Sequence, residues 1–344
     1  MPFEKLDRRK LLKLSLAGGA SALLARAADR ATGLPKRKEQ SDSSTREYWI
    51  QCDSMPHNLI PSGLDQMSGM PYKSTDCSIG AIVYRAFTPN WEAVLPGDSD
   101  IGPNTGFPGP VIRAKVGDTI VVHFRNNDTH YKFPHSVHAH GVEYQPGSDG
   151  AYIWTQRDSN PGAAVKLGDT FTYQYTALPT SVGTWPYHDH AEMQTLFPGT
   201  MPIMELNAEL GMMGILAITD DNTVPADVEQ VLIMHDLYQS DVPGLSQDFD
   251  CFNGQCYLGN TPTFRATVGQ RVRWRVMALG KEFHSFHIHG HRWQANTVSI
   301  DTQVLGPATS ITLDYLEDAP GTWLYHCHVV DHMMGGMMGY YIVD

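Results

Sequence analysis

Extended apolar runs of strand length, each closed by turn-forming residues, recur along most of this chain. Val116-Gly-Asp-Thr-Ile-Val-Val-His-Phe124 is representative: a Gly-Asp turn leads into a segment rich in β-branched residues. Long helical periodicity is missing except at the N-terminus, where Leu11 to Leu24 is rich in Leu, Ala and Gly. The pattern predicts an all-β protein with many loops, and the many Gly, Pro, Thr and Val residues agree with it.

The chain also repeats itself. Ile112-Arg-Ala-Lys-Val-Gly117 recurs as Phe264-Arg-Ala-Thr-Val-Gly269, and His135-Ser-Val-His-Ala-His140 as His284-Ser-Phe-His-Ile-His289. Gly183-Thr-Trp-Pro-Tyr-His-Asp-His190 returns as Gly321-Thr-Trp-Leu-Tyr-His-Cys-His328, and Gly211-Met-Met-Gly214 as Gly336-Met-Met-Gly339. The order is the same in both halves, so two copies of one β-barrel domain are expected. They run over 45–222 and 223–344, with the junction near Asp220–Pro225. A length of 344 residues suits two domains of ordinary size.

Composition adds a compartment. Arg8-Arg9 precede the N-terminal apolar run, which is short for a bilayer span and ends in small residues near Ala25 and Ala27. Residues 1–28 are therefore expected to be a twin-arginine-type signal peptide, exporting folded protein to the periplasm or the extracellular space. Residues 29–44 are expected to be a polar linker. Removing 1–28 takes 6 of the 25 basic and 2 of the 37 acidic residues, leaving a body of charge 19 − 35 = −16. That balance argues against nucleic acid or an anionic membrane as a partner. Besides Cys327 there are four cysteines, and proximity in sequence favours Cys52–Cys77 and Cys251–Cys256 disulfides. Other pairings and free buried thiols stay open.

The chemistry concentrates in histidines. His326-Cys327-His328 is followed by His332 and Met337, the donors of a blue-copper site once His284 is added. In a strand, His326 and His328 point to the face opposite Cys327, so they serve other ions. Three further H-x-H pairs, His138/His140, His188/His190 and His287/His289, bring the count to eight, two pairs per half. Eight imidazoles suit a three-copper cluster at a domain–domain interface, four coppers per chain in all. The Cys327 sulfur would link the two sites for electrons bound for dioxygen. In the first half Asp189 replaces Cys327, and counting forward from it places Gln194 and Gly199 where His332 and Met337 stand. That half is expected to hold no blue copper, His135 surviving as a hydrogen-bonded core residue. Ala191–Leu210, with Met193, Met201 and Met204, is expected to be an insert without a counterpart.

These motifs resemble the multicopper oxidases, specifically the two-domain (small) laccases, from about Glu47 to the C-terminus. The resemblance implies two tandem cupredoxin-like Greek-key β-barrel domains. It implies blue copper on His284, Cys327, His332 and Met337, and a mononuclear cluster copper on His138 and His287. The coupled pair would lie on His140, His188, His190, His289, His326 and His328. It further implies a homotrimer, with the cluster closed between neighbouring chains. Asp149, nine residues after His140, matches an acidic proton relay of that family, although Gly147-Ser-Asp-Gly150 also reads as a turn. Tyr144 would donate an electron or a hydrogen bond near the cluster, or simply pack. The implied reaction is oxidation of phenols or similar one-electron reductants coupled to reduction of dioxygen to water. A methionine axial ligand favours a lower potential, hence modest power toward difficult phenols. The alternatives are a cuprous oxidase in copper tolerance and a passive blue-copper electron carrier. A copper nitrite reductase is disfavoured because it carries its blue-copper cysteine in the first domain.

Overall fold

Runs rich in Val, Ile, Thr and aromatic residues become strands, and glycine or proline ends them. The computed structural model describes residues 44–344 apart from Asn296. The signal-peptide segment and residues 29–43 of the linker lie outside the described residues. In the first half the strands are β1 (Thr45–Asn58), β2 (Ser78–Phe87), β3 (Ile112–Lys115), β4 (Thr119–Asn127), β5 (His138–Ala139), β6 (Thr170–Thr176), β7 (Gly183–His188) and β8 (Met213–Thr219). A four-residue helix, α1 (Leu206–Glu209), precedes β8. They form two sheets, ordered β2-β1-β4-β6 and β3-β8-β7-β5.

The second half supplies β9 (Val228–Leu237), β10 (Phe249–Phe252), β11 (Phe264–Ala266), β12 (Arg271–Ala278), β13 (His284–Ile288), β14 (Trp293–Ala295), β15 (Val298–Ile300), β16 (Thr302–Leu305), β17 (Thr309–Leu316), β18 (Gly321–Cys327) and β19 (Met338–Val343). Helix α2 (Val330–Gly335) lies between β18 and β19. The sheets are β10-β9-β12-β17 and β11-β19-β18-β13-β16, with a β14–β15 ribbon. The sequence repeat is thus a repeat of topology. In each half the first strand pairs in parallel with the strand after the Val-Gly turn (β1 with β4, β9 with β12). In each half, too, the H-x-H strand pairs antiparallel with the second histidine strand (β5 with β7, β13 with β18). The all-β expectation with two cupredoxin-like domains holds.

The halves share a core. Leu59, Ile60 and Phe107 pack in one continuous apolar cluster with Leu237, Val242, Phe249 and Tyr257. A polar lock sits beside it. Arg275 is buried, donates to Glu229 Oε2 at 2.8 Å, and reaches across to Gly183 O at 3.3 Å and Thr184 Oγ1 at 3.1 Å. Thr184 meets Thr312 at 2.7 Å. No helix among the described residues is long and apolar enough to cross a membrane.

All five thiols are free. Cys52 lies opposite Tyr84 on β1, whereas Cys77 adjoins the Asn58–Ser78 pair at the far end of the same ladder. Six strand residues separate those points by about 20 Å, beyond the reach of a disulfide. Cys251 and Cys256 flank the tight turn closed by Phe252 and Gln255, and they remain buried thiols.

Removing Arg275 would break the bonds to Gly183 O and Thr184 that cross the domain junction, while Glu229 keeps Arg113 at 2.5 Å. Arg275→Ala is expected to cost about 1–3 kcal/mol in urea unfolding. A loss under about 1 kcal/mol would show that the apolar cluster alone joins the halves.

Candidate metal centre

Strand register sorts the donors of the second half. Phe286 pairs with Cys327 and His287 with His326, so Cys327 shares the core face with Phe286 and His284. Cys327 and Met337 are fully buried, and His284 is nearly so. The Cys327 sulfur lies 4.0 Å from His284 Nδ1 and 3.8 Å from His332 Nδ1, and those nitrogens are 3.1 Å apart. Two backbone bonds hold the ligand loop: Cys327 N to Met337 O at 3.1 Å and Met337 N to His332 O at 3.0 Å. The Ser285 amide also donates to the sulfur at 3.4 Å. Burial opposes ionisation of the thiol, but His284, His332 and the amides of Ser285 and Val329 outweigh it and draw Cys327 down to about 6. One soft thiolate and two convergent imidazoles beside a buried thioether fit copper.

The other histidines gather into two quartets of matching geometry. In the first, His140 Nε2 and His188 Nε2 are 3.1 Å apart, with the rings of His138 and His190 within 5.4–5.7 Å of their neighbours. In the second, His289 Nε2 and His326 Nε2 are 3.1 Å apart, and the His328 ring lies 5.4 Å from those of His287 and His326. Backbone carbonyls fix the tautomers. His138 Nδ1 bonds Asp149 O, His188 Nδ1 bonds Asp189 O, His287 Nδ1 bonds Asp301 O and His326 Nδ1 bonds Cys327 O. Each of these rings therefore turns Nε2 toward its quartet. Burial and neighbouring imidazoles lower His140 to about 4, and burial first of all lowers His188 to about 3. Both are neutral at pH 7, the form that binds metal. Among the described residues no ring of one quartet contacts a ring of the other.

Asp149 and Tyr144 both stand beside His138. Asp149 Oδ1 is 3.4 Å from His138 Nδ1, and the Tyr144 ring is 6.2 Å from the imidazole. Burial, then Asp149, pushes the Tyr144 phenol up to about 12. Gly150 makes the approach practicable: its φ is +73°, and a Cβ there would meet Val137 O at 2.3 Å.

The blue-site position of the first half departs from the expectation. Met212 O accepts from Asp189 N as Met337 O does from Cys327 N, and Met212 N bonds Asn207 O as Met337 N bonds His332 O. Asn207 and Met212, not Gln194 and Gly199, therefore stand in place of His332 and Met337. Asp189 and Asn207 are 18 positions apart, against 5 for Cys327 and His332. The insertion thus ends before α1, and α1 is the counterpart of α2. Gln194 instead pairs with Ile203 inside the inserted loop. His135 is a buried hydrogen-bonded residue as expected, 3.3 Å from Asp128 and 3.8 Å from Asp189.

Two acids escaped the motif search. Asp236 Oδ1 lies 3.4 Å from His284 Nε2, and Asp236, Asp250 and His332 converge. Burial and the neighbouring Asp236 push the Asp250 carboxyl well above its ordinary range. Only the β9–β10 register brings these two together, and no local spacing encodes it. Of the methionines, Met337 is the buried thioether of the thiolate site, Met212, Met213 and Met338 are buried packing, and Met193, Met201 and Met204 in the inserted loop are exposed.

Family models for multicopper oxidases match residues 91–222 and 232–344. A probable nitrite reductase-hydroxylamine oxidoreductase fusion protein of Kuenenia stuttgartiensis is 31% identical over 257 residues, covering 69% of this chain and 27% of that protein. Human ferroxidase HEPHL1 is 27% identical over 350 residues, covering 87% and 29%. The chain thus spans less than a third of the length of these curated relatives. The crystal structure of a blue copper oxidase from Nitrosomonas europaea superposes with a TM-score of 0.61 at 22% identity, covering 87% of this chain and 86% of that one. With two matched domains and a buried thiolate–imidazole site in the second, the chain belongs to the multicopper oxidase family.

Proposed function

We infer that this chain is a laccase-type oxidase, coupling one-electron oxidation of small reductants to the four-electron reduction of dioxygen to water. One observation carries the reading. Cys327 joins the thiolate site, while His326 and His328 on either side of it belong to the second quartet. Copper held by His284, Cys327, His332 and Met337 would supply one-electron chemistry, and copper held by the eight quartet histidines would supply the reduction of dioxygen. The chain's own part is to bring the two sites within one residue of each other along β18. It also keeps the thiolate in a dry core and holds the quartets' Nε2 atoms ready through their Nδ1 bonds.

Neither quartet meets the other within one chain, which supports closure of the cluster between copies. The first-domain quartet of one copy would face the second-domain quartet of the next, a heterologous contact that closes as a ring. The homotrimer follows from the resemblance to small laccases. Asp149 is assigned as proton relay and Tyr144 as its hydrogen-bonding neighbour. Export in folded form agrees with cofactor loading before secretion. A passive carrier would leave eight imidazoles without a role.

A second reading, oxidation of cuprous or ferrous ion, is favoured by the Asp236–Asp250 pair beside His332 and by the exposed methionines of the inserted loop. Oxygen uptake with a dimethoxyphenol, cuprous ion and ferrous ion separates the two. Saturable uptake with the metal ions alone would replace the laccase reading.

Fully loaded protein is expected to hold four coppers per chain by metal analysis; one copper would mark a carrier. Cys327→Ser is expected to lose the blue absorption and oxidase turnover while retaining three coppers, and full phenol oxidation by that variant would exclude the electron route. Asp149→Asn is expected to slow reoxidation by dioxygen on the order of a hundredfold in stopped flow, with reduction of the blue site unchanged. Equal slowing of both steps would remove the relay role.

A further inference from the structure

The reaction leaves one buried polar cluster in the first domain unused. Asp128, His135, Ser136, Asp189 and Asn207 are each at most 3% exposed. Burying two carboxylates and an imidazole is costly unless hydrogen bonds satisfy them, and here they are largely satisfied. Asp189 Oδ1 accepts from Ser136 N at 2.5 Å and from Ser136 Oγ at 3.4 Å, and Oδ2 accepts from Asn207 Nδ2 at 2.8 Å. Asp128 accepts from His135 Nε2 at 3.3 Å and from the amides of His130, Tyr131 and Phe133. Ser136 Oγ in turn accepts from His190 N at 3.0 Å.

These bonds have a common direction. Ser136 begins the stretch that delivers His138 and His140, and Asp189 sits between His188 and His190. A single carboxylate therefore fastens together both H-x-H segments of the first quartet and anchors them to α1. In the second domain the positions equivalent to Asp189, His135 and Asn207 are Cys327, His284 and His332, with Met337 in place of Met212, and there a bound metal would do the fastening. The first domain has kept the frame and exchanged coordination for hydrogen bonds.

We propose that Asp189, standing where a metal-binding cysteine would stand, is a positioning residue that aligns the first-domain quartet for its metal before the metal arrives. Asn207 and His135 support it from either side. The inference rests on the quartets being copper ligands, as proposed above. The role of this cluster is to keep the two imidazole pairs at their spacing across the β5–β7 ladder.

The test compares copper loading of wild type, Asp189→Asn and Asp189→Ala by titration of the apoprotein with copper. Binding is followed by metal analysis, by the near-ultraviolet band of the coupled pair and by electron paramagnetic resonance. The blue band, which arises in the other domain, reports folding within the same sample. Loading of the coupled pair is expected to weaken about 10–100-fold in Asp189→Ala, with a new uncoupled copper signal and the blue band retained. Asp189→Asn, which still accepts from Ser136 N, is expected to lie between the two. Full loading with an unchanged coupled-pair band in Asp189→Ala would overturn the assignment while leaving the oxidase reading intact. If Asp189→Ala shows no blue band, Ser136→Ala decides, since it removes only the Oγ bridge to His190. Weaker coupled-pair loading supports the proposal, and wild-type loading overturns it. Wild-type protein that binds only the blue copper would bring down the cluster reading, and this assignment with it.

Discussion

The alternation of side chains along one strand is the constraint from which the rest of this molecule follows. On β18 the Cys327 sulfur turns into the barrel and His326 to the opposite face of the strand, with His328 one residue past the strand's end. The pairing with β13 repeats that division, putting His284 on the sulfur's side and His287 and His289 on the other. Slipping the register by one residue would exchange the two sets and leave neither site with a complete donor list. The closeness of the two donor sets is therefore a property of backbone geometry, held by the ladder and by the bonds from Cys327 to the Met337 loop.

The two domains show what that geometry does with and without a thiol. They share strand order, the parallel pairings and the approach of a loop methionine to the end of the second histidine strand. Apart from the inserted loop, what differs at this site is two buried positions: Asp189 for Cys327 and Asn207 for His332, with His135 and Met212 unchanged in kind. A soft, ionisable sulfur favours a metal, whereas a carboxylate flanked by an amide, a hydroxyl and an imidazole is satisfied without one. The same scaffold thus holds a thiolate–imidazole site in one copy and a hydrogen-bonded carboxylate cluster in the other.

Much of this was legible in the chain itself because its motifs are short and local. H-x-H on a strand carries its own face assignment, and the His-Cys-His triplet with His332 and Met337 at fixed offsets encodes the buried site directly. The Gly-Met-Met-Gly repeat even contains the correct alignment of the vestigial site. Counting five back from Met212 gives Asn207, as five back from Met337 gives His332. Counting forward from Asp189 failed because the inserted loop falls between. Register-dependent features were not legible. Asp236 meets Asp250 only through the β9–β10 pairing, and the β1–β2 ladder leaves Cys77 beside the Asn58 end of β1, six strand residues from Cys52.

The separation of the quartets within a chain has one more consequence. A solitary subunit would own an inlet for electrons but no outlet, so it could be reduced and would then stay idle. Oxygen would meet a reactive metal centre only after copies had joined, and partly reduced, damaging oxygen species would have no unfinished cluster from which to escape. If the cluster closes between copies as proposed, assembly would act as a safety interlock written into where the histidines sit.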